Sequence, residues 1–205
     1  DLNSFTNCNR DDSKIMVGAK GTLDYFTLSN NSGYIFKYDF RNTSKGYVED
    51  VSGNNVDGAL IGDIDYIVID GMLFDGSSGY LSLPEISSDV RFSNGFTIEF
   101  EASFADLNTA CKVIDLAVDY DTGSNSSGKC SINVGKVANL DQIELKTTGA
   151  TGKGYKLSAE NALLGEQHAW KFAVVDNGKN YDITISRDGE VIKETQYNYG
   201  GITNI

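Results

Sequence analysis

The chain has 205 residues, with 29 acidic and 17 basic side chains, one His and a net charge of −12; its pI is about 4.4. That balance repels phosphate backbones, and no basic stripe interleaved with aromatics is present, so nucleic acid is not an expected partner. No run of about 18 apolar residues is available to span a bilayer, so membrane insertion is not expected either. The chain opens at Asp1 without an apolar leader, which reads as a mature or excised product.

Residues 1–33 show little periodicity and are read as an N-terminal arm or extra strands. From Tyr34 the pattern turns to period two, with Tyr34, Phe36, Tyr38 and Phe40 alternating with other residues. Gly79–Leu83 is a short strand bounded by Gly and Pro. In Phe96–Phe104 every second residue is apolar, which predicts a half-buried strand with one wet face. Lys112–Val118 and Ser131–Val137 flank a Gly/Ser/Asn loop, and Gln142–Lys146 alternates. Ser158–Leu164 is the one stretch that reads as helical. Ala169–Val175 puts Trp170, Phe172 and Val174 on one face, which assigns Trp170 to the core. Tyr181–Ser186 and Val191–Gln196 form a hairpin whose Asp188-Gly189 turn suits positive φ angles. With a single proline and 22 glycines, many short strands separated by Gly, Asn, Asp and Ser turns predict an all-β, two-sheet antiparallel sandwich over residues 34–205.

The cysteines are Cys8, Cys111 and Cys130. Cys111 and Cys130 flank one loop and are the expected disulfide, which leaves Cys8 over. Without a C-x-x-C motif, a structural zinc site is not expected. Sequons at Asn30, Asn42 and Asn125 are about as many as this composition yields by chance.

Five segments, in order, resemble the laminin-G-like branch of the concanavalin A-like lectin/glucanase superfamily. They are the aromatic strand Tyr34–Phe40, the turn Val48-Glu-Asp-Val-Ser-Gly-Asn-Asn-Val-Asp-Gly-Ala-Leu60, Leu73-Phe-Asp-Gly-Ser-Ser-Gly-Tyr-Leu81, Phe96-Thr-Ile-Glu-Phe100, and His168-Ala-Trp-Lys-Phe-Ala-Val-Val175 with its Asp188-Gly189 hairpin. The resemblance implies a jelly roll that recognises glycans or proteins outside the cell, so the chain is expected to be secreted or at the cell surface. Members of that branch usually add a strand pair after this hairpin, whereas here only Tyr197–Ile205 follows. The sandwich is therefore expected to lack its final strands, filled by the arm in cis or by another copy in trans. Self-association in an extracellular filament or surface assembly is the corresponding alternative function.

Catalysis finds little support. Glucanases of this fold carry Glu-x-Asp-x-x-Glu on one strand face, and Asp63-Ile-Asp65-Tyr-Ile-Val-Ile-Asp70 has neither the glutamates nor the spacing. Glu99 and Glu101 share a face but have no third carboxylate. His168 is the only histidine, and no G-x-S-x-G elbow exists. A non-catalytic recognition module is the expectation. Asp119-Tyr-Asp121-Thr-Gly-Ser-Asn125 gathers oxygen ligands suited to Ca²⁺, as does the turn from Asp50 to Asp57. For glycans, loop aromatics offer flat faces beside hydrogen-bonding groups: Tyr120 beside Asn125, Tyr155, and Tyr197 with Tyr199 near the end.

Overall fold

The computed structural model describes residues 5–7, 13–42, 46–67, 71–84, 95–105, 107, 111–120, 127–148 and 156–198. They form two sheets, paired antiparallel throughout and packed face to face as a sandwich. In spatial order, sheet I runs β14 (Lys156–Glu160), β13 (Leu140–Thr148), β12 (Ser127–Val137), β11 (Cys111–Tyr120), β2 (Lys14–Val17), β9 (Tyr80–Ser82), β6 (Gly58–Ile61) and β5 (Tyr47–Val48), with β1 (Phe5–Asn7) also on β11. Sheet II runs β17 (Glu190–Asn198), β16 (Asn180–Arg187), β15 (His168–Asp176), β10 (Gly95–Ala105), β3 (Lys20–Asn30), β8 (Gly71–Asp75) and β7 (Ile64–Ile67), with β4 (Gly33–Asp39) also on β3.

The core follows from the alternation. On β10, Phe96, Ile98, Phe100, Ala102 and Phe104 are buried and the residues between them are not. Their rings join an aromatic ladder on the inner face of sheet II. Phe26 stacks on Phe100 at 5.5 Å, Phe100 on Phe172 at 5.9 Å, Phe26 on Phe36 at 6.0 Å and Phe36 on Tyr38 at 4.8 Å. Phe40 and Phe74 continue it edge to face at 6.1 and 6.5 Å. Each such pair adds about 0.5–1.5 kcal/mol to the burial of the rings themselves. Trp170 is 1% exposed, as its alternation with Phe172 and Val174 predicts.

The stretch that shows little periodicity supplies a central strand. β3 lies between β10 on one side and β4 and β8 on the other. Its pattern was obscured by a register shift: Glu101 of β10 faces Tyr25, but Ala102 faces Leu23, so Asp24 is an extra residue. A bulge of this kind moves the inward residues from odd to even positions, and the sequence loses its period of two. Leu23, Phe26 and Leu28 are all fully buried on either side of that phase change. Near the start of β3, a side chain on Gly21 would place its Cβ 2.0 Å from the Ser103 carbonyl oxygen, so the strand approaches β10 this closely only with glycine there.

Two expectations are corrected. Ser158–Leu164 is not helical: Lys156–Glu160 is the edge strand β14, with Leu157 and Ala159 buried against the core. Left-handed backbone at Asn161 (φ 54°) and Leu163 (φ 56°) then excludes a helical turn. Cys111 and Cys130 are not a disulfide; both remain buried thiols. Cys111 lies opposite Val134, whereas Cys130 lies opposite Leu116, five residues further along β11. At about 3.3 Å per residue that offset is roughly 16 Å, more than twice the Cα separation of about 7 Å that a disulfide can bridge. Burial raises the Cys111 thiol and, with help from Asp115, pushes that of Cys130 up to about 12. The hairpin turn, by contrast, has the expected positive φ at Asp188 (53°) and Gly189 (85°).

Candidate functional site

The bulge that hides β3 in the sequence also turns Tyr25 outward. Across the outer face of sheet II, Tyr25 lies opposite Glu101 of β10 and Asp39 of β4. One step along, Glu99 lies opposite Lys171 of β15, and their side chains pair at 3.1 Å. Arg41, in the turn after β4, is half exposed and binds Asp39 through Nε at 2.9 Å. The phenol of Tyr25 is raised first by burial, then by the fields of Glu99, Glu101 and Asp24. Its hydroxyl is thus protonated across the physiological range and available as a donor. The hydrogen bond to Asp39 raises the Arg41 guanidinium further, with Asp24 and Glu101 adding to it. The result is a partly exposed ring ringed by carboxylate acceptors and one planar cationic fork. Sugars use such a set: C–H faces lie on the ring, and hydroxyls donate to carboxylates and accept from guanidinium.

Glu99 and Glu101 do share this wet face. They are alternate residues of one strand, about 7 Å apart along it, and Glu99 is tied to Lys171.

The Asp50–Asp57 turn uses its carboxylates internally. Asp50 Oδ1 accepts from the N–H groups of Lys37 and Ser52 at 2.8 and 3.0 Å, and Oδ2 from the Ser52 hydroxyl and the Val56 N–H at 2.8 and 3.1 Å. Burial opposes its ionisation, but these donors outweigh burial and hold the carboxyl below its ordinary value. Asp57 Oδ1 accepts from the Asp50 N–H at 2.8 Å. A cation bound to Asp50 would have to displace donors that the fold itself supplies. Among the described residues, no three His, Cys, Asp or Glu side chains are grouped to hold a metal ion. Asp75, of the Leu73–Leu81 segment, is used the same way, accepting from the N–H groups of Ser77, Ser78 and Gly79. The Ser77 hydroxyl leads the bonds that hold its carboxyl well below the usual range.

The remaining sequence-predicted residues fall mostly elsewhere. Asp119 and Tyr120 end β11, opposite Asn7 and Phe5 of β1, and their side chains lie outside the described residues. Asp121, Asn125, Tyr155 and Tyr199 also lie outside them. Tyr197 is half-buried on β17, opposite Tyr181 and packed against the core, so its ring is only partly available. The strand ends flanking 121–126 and 149–155 are neighbours at one end of sheet I, because Asp119 pairs with Ser127 and Lys129 with Thr148.

His168 is structural in its contacts. Its Nδ1 lies 2.6 Å from Asp188 Oδ2, while Asp188 Oδ1 accepts the Ala169 N–H at 2.9 Å, so the pair clamps the hairpin turn onto the start of β15. Sequence reasoning missed Tyr25, Asp24, Asp39 and Arg41. The one signal available was Asp24-Tyr25 between Leu23 and Phe26, a polar pair inside an apolar run that marks a bulge. No family model matches the chain, and no curated protein or solved structure shows significant similarity to it.

Proposed function

We propose that this chain is a non-catalytic recognition module of the cell exterior that binds glycans through the outer face of sheet II. One observation carries this reading. Strand β3, paired in cis between β10 and β4, brings Tyr25 into the middle of a face lined by Asp24, Asp39, Arg41, Glu99 and Glu101. The same placement weighs against an assembly subunit closed by strand exchange, because the N-terminal segment fills sheet positions of its own chain. The resemblance to laminin-G-like domains points the same way. The test is a glycan array on the intact chain followed by titration of any hit against Tyr25→Ala. Binding that Tyr25→Ala lowers about tenfold or more supports the reading. Silence across the array, or hits indifferent to Tyr25→Ala, rejects it.

A further inference from the structure

A groove of about 540 Å³ lies along the β16–β17 hairpin, lined by Asp182, Ile183, Thr184, Glu194, Thr195 and Gln196. Its volume falls within the roughly 300–1,000 Å³ of small-ligand sites. We infer that this groove is a subsite for uncharged sugar rings and that it excludes polyanionic glycans; the inference rests on the glycan-binding reading above.

Three features support it. The first is preorganisation. Asp182 Oδ2 accepts from Asn177 Nδ2 at 2.9 Å and Oδ1 from Gln196 Nε2 at 2.8 Å. Each amide fixes one carboxylate oxygen and leaves that oxygen a second lone pair. Sugar hydroxyls would donate to those lone pairs, and Thr184 adds a hydroxyl that both donates and accepts. The second is an apolar platform beside the polar groups. Val175, 52% exposed, lies opposite Asp182, and Ala173 lies opposite Thr184. Short side chains there let the C–H face of a ring come down onto the sheet. The third is the sign of the charge. Among the described residues, Asp182 and Glu194 line the groove and no Lys or Arg does, so sulfated or uronic chains meet two like charges at close range.

The groove and Tyr25 share one face. Tyr25 lies in the row of Ala169, and Asp182 in the row of Val175, three strands across. That spacing is roughly 25 Å from strand rise and strand separation, so substitutions in the groove and at Tyr25 probe separate places.

The experiment titrates the intact chain with short neutral gluco-, manno- and galacto-oligosaccharides and with heparin. Thr184→Trp fills the groove and is expected to cost about tenfold or more in affinity for the neutral oligomer that binds. Gln196→Ala, on the exposed edge strand, releases the Asp182 carboxylate without altering the interior and is expected to cost about threefold. Heparin is expected to bind at least about tenfold more weakly than the neutral oligomer. A neutral oligomer that binds wild type and both variants equally overturns the groove assignment while leaving the Tyr25 face standing. Tighter binding of heparin overturns the charge selectivity. If no neutral oligomer binds wild type, the glycan reading itself falls.

Discussion

The two faces of sheet II are built from the same strands and serve opposite ends. Phe26, Phe100 and Phe172 stack through the inner face and leave no ring surface to solvent. One residue away on β3, Tyr25 stands on the outer face, where partial burial first and then the surrounding carboxylates raise its phenol. Aromatic side chains stabilise where they meet each other, and where they meet acceptors and water they suit the proposed recognition. Strand alternation alone puts these consecutive residues on opposite faces; the bulge at Asp24 sets the phase, so that Phe26 turns inward and Tyr25 outward.

The sharpest way to break the comparison is to exchange its sides. Phe26→Ala opens a cavity between two stacked rings and is expected to cost about 3–5 kcal/mol, measured by urea unfolding. If Phe26→Ala costs no more than an outer-face substitution, the ladder does not hold the sandwich together. Asp50→Ala comes next, at about 2–3 kcal/mol, because it strands the N–H groups of Lys37, Ser52 and Val56. The same carboxylate sets a pH dependence. Its folded value lies below its unfolded one, so its stabilisation is present above the ordinary aspartate value of about 3.9 and is lost as pH falls through the folded value. Between pH 5 and pH 2 the melting temperature of wild type should fall more steeply than that of Asp50→Asn; parallel curves would contradict the bonding around Asp50. The smallest stability effect is expected for Tyr25→Ala, about 1 kcal/mol or less, together with the loss of glycan affinity. A large loss of stability there would mean that Tyr25 belongs to the framework.

The alternation of Phe96–Phe104 and Ala169–Val175 made the strands and their inward faces readable, because inward positions recur there without interruption. The two-sheet architecture followed from the number of such segments. β3 was not readable because its bulge moves Leu23 and Phe26 out of phase, and a period-two search sees no strand. Ser158–Leu164 misled because its apolar spacing fits a helical turn, whereas its fate was decided by pairing of Ser158 with Glu144 and Ala159 with Ile143 across sheet I. Cys111 and Cys130 looked like partners because sequence shows which strands flank a loop but not their register. The Asp50 turn was recognisable as a cluster of oxygen ligands, yet only the backbone geometry shows that Lys37, Ser52 and Val56 already occupy them. The proposed binding face was the least legible part. Its residues come from the consecutive strands β3 and β4, the turn after β4, and β10, which is remote in the chain and adjacent to them only once the sheet forms.

The most direct test is a backbone amide chemical-shift map of the labelled chain titrated with a neutral oligosaccharide that it binds. The account predicts concentration-dependent shifts at Asp24, Tyr25, Asp39, Arg41, Glu99 and Glu101, extending to Thr184 and Gln196, with the amides of Phe26 and Phe100 changing less. Shifts confined to sheet I or to residues 121–126 and 149–155, with the outer face of sheet II unchanged, would contradict it.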